Sequence, residues 1–494
     1  MHNWVKAIAI YDNYDFSGPI EYIFNIIFLA YGISYRIIPF NRFNPAGYDL
    51  NKAIVVSYGE EYLDARVRNQ IHIYTSDLFG ENYLESDSMP KVPLKRYDEL
   101  PVIYYGCGDF DGLVRKSKNF IETNIDIIAS SFFMLSRYEE IVLDKKDKFN
   151  RFPATESLAY KQGFLNRPIV NEYIELLWKW IDSFGLGFRK KNLWGNKDFA
   201  VCLTHDVDAV KKYKVYPPLL TIGSLALRHK DLRRIFATVI DYFKAKLGKD
   251  PYDNFSYIMN LENKYGFTSS FYFKSGGNTK YDTSYSINDS YIISLIKTLQ
   301  KEGFEIGLHP SFNSYNNFQM LRLEKERLGK ASGKAVLGGR QHYLRWKTPD
   351  TWGILEKVGL KYDTTLSFAD REGFRSGICF PYKPFDIAQN RVLDIWELPL
   401  TVMDASLFDY QNLSPEEEFQ RIKNLVHVIK KYHGVFVLLW HNSSLNDLKL
   451  LGSIEIYERT MEYLGRQNVF NETATGIIDW WEKGIIERNS ILET

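Results

Sequence analysis

Asp206 and Asp208 stand two apart where the apolar run 199–203 passes into Thr204-His205-Asp206-Val207-Asp208. On an extended strand end that spacing turns both carboxylates to one side. Metal-assisted hydrolysis needs such a pair: one carboxylate holds a cation and a second, unbound one takes a proton from the attacking water. A turn in which both side chains accept from nearby backbone N–H groups would use the same residues. Two further apolar runs end alike, 304–308 in His309 and 435–440 in His441.

His309 precedes Pro310, which leads the chain away from regular pairing, and an imidazole there suits a zinc-like ion. Asn313, four residues on, offers a carbonyl oxygen where an i, i+4 pair would place its second ligand. In the run Arg340-Gln341-His342-Tyr343-Leu344-Arg345, either Arg340 or Arg345 could orient Asp206 and favour its ionised form. His342 is a spare ligand candidate. A protonated His441 could give its proton to a leaving amine, with Asp363, Asp370 or Asp394 as candidates to orient the ring.

The elements that must position these groups read as alternating strands and helices. Strand candidates 199–203, 269–273, 304–308, 338–343, 362–368, 392–400 and 435–440 alternate with helical candidates 257–265, 290–302, 317–329, 348–358 and 415–432. Alternation of this kind predicts parallel strands with helical crossovers, and groups carried on several strand tips suit a (β/α) barrel. Seven strands predict an incomplete one. The long connection 211–253 predicts an insertion whose basic amphipathic stretch, from Arg228 onward, is read as a solvated face.

Before the barrel, the runs 7–11, 35–39, 53–58, 71–74 and 102–105, with a helix near 21–31, predict a small α/β unit, and 124–140 and 168–184 are helical. Gly and charge mix at 185–196, so the domain boundary is placed near 195: an accessory domain over 1–195 and the barrel over 196–490.

Composition narrows the function classes. With 494 residues the chain has room for two or three cores, and 62 basic against 61 acidic residues leave no charge imbalance of the kind nucleic acid selects. Three widely spaced cysteines suit a reducing compartment. The apolar stretch 22–33 has no basic leader and falls short of the ~18 apolar residues of a membrane span. A cytoplasmic protein is the expectation. The 16% aromatic content suits sugar-stacking surfaces as well as ordinary cores.

With these motifs in order, residues 197–450 resemble the NodB-type polysaccharide deacetylases, carbohydrate esterase family 4. The resemblance implies an incomplete (β/α) barrel that removes N- or O-acetyl groups from glycans with a divalent metal, zinc being the expected ion. Thr204-His205-Asp206-Val207-Asp208 is similar to the family's first motif, which places the base on Asp206 and moves the ligand aspartate from Val207 to Asp208. The stretch His309 to Asn313 resembles the second motif without its trailing His, Arg340 to Tyr343 the third without its Pro, and Trp440-His441 the last. The resemblance thus implies that Asp208, His309 and Asn313 hold the metal, or a set including His205 or His342. Asp206 then activates water, Arg340 steadies Asp206, and His441 protonates the leaving amine. The substrate class implied is a sugar of a surface polysaccharide or its precursor. The departures leave open a barrel that binds glycan without hydrolysing it, and an O-acetyl esterase built on the same site.

Overall fold

The protein is described from a computed structural model, over residues 5–490 apart from 61–66, 216–217, 219–231, 283–284, 412 and 447–451. The first half is built on a six-stranded sheet. Its order is Tyr35–Pro39, Ala7–Tyr11, Ile54–Gly59, Gln70–Tyr74, Phe120–Thr123 and Val114–Lys116, parallel except for the last strand. Every residue of Ala7–Tyr11 is buried, as a parallel strand covered on both faces requires. The helix Ser17–Tyr31 packs against this sheet and stops at Gly32, whose left-handed φ of 64° closes the last turn onto Phe28 and Leu29 carbonyls. Of the run expected as a fifth strand at 102–105, Val102 ends the hairpin strand Leu100–Val102 and Tyr105 makes an isolated bridge with Ile125. Pro101 has no N–H for a central ladder, and the strand Phe120–Thr123 takes the place beside Gln70–Tyr74.

The second half is a parallel sheet ordered Trp396–Glu397, Tyr362–Asp363, Gly338–Gly339, Glu305–Leu308, Ser269–Phe273, Phe199–Val207, Val435–Leu439 and Val402–Met403, with Val469–Asn471 added beside the start of Phe199–Val207. Its two end strands do not pair among the described residues, so the barrel is open. The sixth expected strand, 392–400, does not form as one piece. Arg391–Val392 pairs antiparallel with Phe385–Asp386, Trp396–Glu397 joins the barrel, and beyond Pro399 the chain crosses to the opposite edge as Val402–Met403. Proline cannot continue a central ladder, so the expected strand supplies one edge of the sheet and the residues just beyond it the other.

Helices Phe255–Lys264, Ser290–Lys301, Phe318–Ser332, Asp350–Val358 and Pro415–Lys431 supply crossovers. The last begins with a complete capping box, Ser414 with Glu417, and Pro415 in the first turn. Gly339 lets neighbouring strands approach: a Cβ there would lie 1.9 Å from the Leu308 carbonyl oxygen. In the connection 211–253, helices Lys212–Val215 and Leu232–Lys246 are seen. The basic cluster beginning at Arg228 lies largely outside the described residues.

The two halves share one apolar core. Phe385 of the barrel half packs on Tyr22 and Phe132, with ring centroids 5.2 and 5.4 Å apart. Beside them Arg137 and Arg375 both clasp Glu140, at 2.9 and 2.8 Å, with all three side chains buried. Burial alone would raise the Glu140 carboxyl's pKa, but the two guanidiniums outweigh it and bring it down to about 2. Trp194, in the segment between the sheets, donates from Nε1 to the His433 carbonyl at 2.7 Å and stacks on Phe470, which ties that segment to the barrel.

Candidate active site

The strand tips converge. Asp206 closes the strand Phe199–Val207, and Arg340 follows the strand Gly338–Gly339 two strands beyond its neighbour. Arg340 is fully buried and donates from Nη1 to Asp206 Oδ1 at 3.0 Å and to Thr204 Oγ1 at 2.9 Å, while Nε donates to the Thr364 carbonyl at 2.9 Å. The planar guanidinium, fixed by Thr204 and by the Thr364 carbonyl and hydroxyl, thus holds one carboxylate oxygen through Nη1 and leaves Asp206 Oδ2 to the cavity. Arg345, the alternative partner, turns away to the Phe149 carbonyl at 2.9 Å and Asn313 Oδ1 at 3.1 Å.

Asp208, His309 and His342 form a group that could hold a metal ion, their ligand atoms all within 4.8 Å of one another. Asp208 Oδ1 lies 3.3 Å from His309 Nε2 and 3.3 Å from His342 Nε2. The tautomers follow from the partners. His309 Nδ1 lies 2.7 Å from the Arg340 carbonyl oxygen, which can only accept, so Nδ1 carries the proton and Nε2 presents its lone pair to the cluster. Lys274, after the strand Ser269–Phe273, places Nζ 2.8 Å from His342 Nε2 and 2.7 Å from Asp208 Oδ1. An ammonium only donates, so His342 Nε2 is a lone pair as well, and its Nδ1–H faces Asp282 Oδ1 at 3.8 Å. One carboxylate and two imidazole lone pairs aimed at a common point are the donor set of a zinc-type site, and these residues fit the metal that the family resemblance implies.

Charge around the cluster is consistent with that reading. Burial raises the Asp208 carboxyl's pKa, but Lys274, His342 and His309 outweigh it and hold the group well below the ordinary carboxylate range. Burial, and after it the Lys274 charge, lowers the His342 pKa and keeps the ring neutral. Asn313, expected as the third metal ligand, instead accepts from Arg345 Nη1 through its Oδ1, and His342 stands in the cluster. The i, i+4 spacing presumed a helix after His309, whereas the chain there turns through Ser311 and the short 3-10 turn Ser314–Asn316. His205 is engaged elsewhere, with Nδ1 2.7 Å from the Trp440 carbonyl and Nε2 2.9 Å from Glu262 Oε1.

His441 faces the cluster from the tip of Val435–Leu439, its Nε2 3.7 Å from Asp208 Oδ2. Its orienting partner is Asp404, which follows Val402–Met403 and lies 2.7 Å from Nδ1. None of the three aspartates expected in that role is near: Asp363 binds Thr365, Asp370 accepts from Ala154 N, and Asp394 pairs with Lys383. Burial opposes protonation of His441, but Asp404 first, then Asp208 and Asp206, outweigh it and raise its pKa to about 10. The ring is therefore a charged acid at neutral pH.

These groups line a cavity of about 630 Å³ whose wall includes Tyr281, Tyr343, Tyr410 and Arg151. The first half of the chain supplies part of that wall. Arg151 donates to the Tyr343 carbonyl at 2.9 Å and to the Tyr410 hydroxyl at 3.1 Å, and Phe149 meets Tyr343 at a 5.0 Å centroid distance. Tyr343 (φ 61°) and Leu344 (φ 51°) are both left-handed, an uncommon pair for non-glycine residues. Arg151 thus braces the turn that aims His342.

Among comparisons with known proteins, residues 8–185 match a family of unknown function, DUF7033. No curated protein matches the chain in sequence. By structure, the chain is similar to a "putative polysaccharide deacetylase" from Mycobacterium smegmatis (17% identity, 60% of this chain and 92% of that one, TM-score 0.40). It is also similar to Puue allantoinase (11% identity, 60% and 96%, TM-score 0.38) and to the peptidoglycan deacetylase PdaC from Bacillus subtilis (11% identity, 60% and 96%, TM-score 0.30). Likeness at this level says nothing of chemistry, which rests on the side chains of this site.

Proposed function

We propose that the chain is a metal-dependent deacetylase that hydrolyses the N-acetyl group of a sugar in a surface polysaccharide or its precursor, with zinc as its ion. One observation carries the reading: Asp206, clamped by Arg340, and His441, oriented by Asp404, flank the Asp208–His309–His342 cluster in one cavity. That is a base, an acid and a set of cation ligands around a space large enough for a sugar residue.

In this reading Asp208, His309 and His342 hold the ion, which when bound supplies a polarising charge at the acetyl carbonyl. Asp206 accepts a proton through Oδ2 from the water that attacks the carbonyl carbon, while Arg340 keeps Oδ1 occupied and the carboxylate plane fixed. The new C–O bond forms as that proton leaves. When the C–N bond breaks, protonated His441 delivers its Nε2 proton to the departing amine, and Asp404 steadies the imidazolium until then. Acetate and a free amino sugar result. Tyr281, Tyr343 and Tyr410 are suited to pack against sugar faces. Three free cysteines, Cys107, Cys202 and Cys379, accord with a cytoplasmic site of action on a precursor.

The test is acetate release from a panel of N-acetylhexosamine oligosaccharides at saturating zinc. Stoichiometric acetate with a matching gain of free amine supports the proposal. Acetate from O-acetylated but not N-acetylated glycans would replace it with the esterase reading. A barrel that binds glycan without hydrolysis is favoured by Lys274 standing at the cation position, and saturable glycan binding with no acetate from any substrate would establish it.

A further inference from the structure

The cation ligands already face a positive charge of the chain's own. Lys274 is 1% exposed, and its Nζ approaches Asp208 Oδ1 at 2.7 Å and His342 Nε2 at 2.8 Å, so two of the three donors that a metal would use are spent on an ammonium. The third, His309 Nε2, is buried and has no hydrogen-bond donor against it among the described residues. The geometry is that of a carboxylate and imidazole cage with a resident monovalent cation tethered to the strand Ser269–Phe273. A lysine stem is flexible, with a compact charge that an ion can dislodge.

We infer that Lys274 is a competitive internal cation at the Asp208–His309–His342 site: the ammonium stabilises the metal-free form, and a divalent ion enters only by expelling it into the cavity. Lys274 lines the same cavity as Asp208, so the displaced ammonium has open space beside it. Two positive charges a few ångströms apart repel by several kcal/mol at an effective dielectric of about 20, so ion and ammonium cannot share the cage. The inference deepens the proposed metal dependence and rests on the same ligand set. It makes ion loading a matter of available zinc, because part of the binding free energy goes into displacing Lys274.

The experiment is calorimetric titration of the full chain with zinc chloride for the parent protein and for Lys274→Met, Lys274→Gln and Lys274→Arg. The two neutral variants are expected to bind one zinc at least about tenfold more tightly than the parent, while Lys274→Arg shows no gain. Equal or weaker zinc binding by folded Lys274→Met and Lys274→Gln overturns the inference. Variants that fold only when zinc is present support it. A second measurement needs no variant: acylation of lysines, read by mass spectrometry, is expected to rise at Lys274 on saturation of the parent with zinc, and an unchanged or lower yield there overturns the inference. Acetate release plays no part in either readout, so loss of the deacetylase reading would leave these results standing, and failure here would leave acetate release untouched.

Discussion

Asp404 grips His441 twice, its Oδ1 2.7 Å from the ring Nδ1 and its Oδ2 2.8 Å from the His441 backbone nitrogen. The carboxylate belongs to one edge strand of an open barrel and the imidazole to the adjacent strand, so the pair fixes the acid relative to the sheet. Asp404 is buried, which by itself would raise its pKa, yet His441 outweighs burial and keeps it ionised.

Replacing Asp404 by Asn keeps the shape and removes the charge. Turnover of an N-acetylated oligosaccharide is expected to fall by about 10²- to 10⁴-fold, the usual worth of a positioned acid. The alkaline limit of the rate, set by loss of the His441 proton, moves down from the parent's, because Asp404 is the first of the charges that raise the His441 pKa. A pH–rate profile checks both.

The third ligand is open to direct comparison. His342→Ala is expected to lower zinc affinity by about tenfold or more, whereas Asn313→Ala, which removes only a partner of Arg345, leaves it unchanged. Titration of both variants beside the parent decides between the two residues.

Arg340→Met strips a buried partner from Asp206, which then sits uncompensated. A loss of about 3–5 kcal/mol in unfolding free energy is expected, and the double variant Arg340→Met/Asp206→Asn recovers part of it. Denaturant melts of the two singles and the double measure the coupling.

Asp363 and Glu397 are register partners on adjacent strands, both buried. Burial raises Asp363 to about 7, and burial together with Asp363 raises Glu397 well above the carboxylate range. A folded-state pKa above the unfolded value of about 4 means the native state binds protons more tightly. The stability Asp363 contributes is fully present below about pH 4 and is lost as pH rises through about 7. Asp363→Asn is expected to flatten the decline of Tm across that window, as thermal melts at stepped pH would record.

The barrel and most of its tips were legible in sequence because each was an apolar run ending in a polar residue: Asp206, Asp208, His309 and His441 sit at or beside the ends of strands that those runs predicted, while Arg340 reaches a tip because the strand expected over 338–343 stops at Gly339. Other groups were hidden for physical reasons. Asp404 follows the two-residue strand Val402–Met403, too short to show a period, on a segment that Pro399 had separated from its apolar neighbours. Lys274 ends an apolar run too, but a lysine after a strand reads as solvated unless its neighbours in space are known. His342 and Asn313 exchanged weight because ligand spacing was counted along one segment, while the ring that meets His309 comes from the next strand tip over. Arg151 and Phe149, carried on the loop ahead of the helix Ile169–Asp182, reach the cavity through tertiary packing that no local pattern encodes.

The central claim is that Asp206 is the base of a metal-loaded site, and the most direct test pairs zinc content with acetate release for the parent and Asp206→Asn at saturating zinc. One zinc per chain in both proteins, with turnover lost in the variant by about 10²- to 10⁴-fold, is the expected result. Turnover retained by Asp206→Asn at equal zinc content would contradict it.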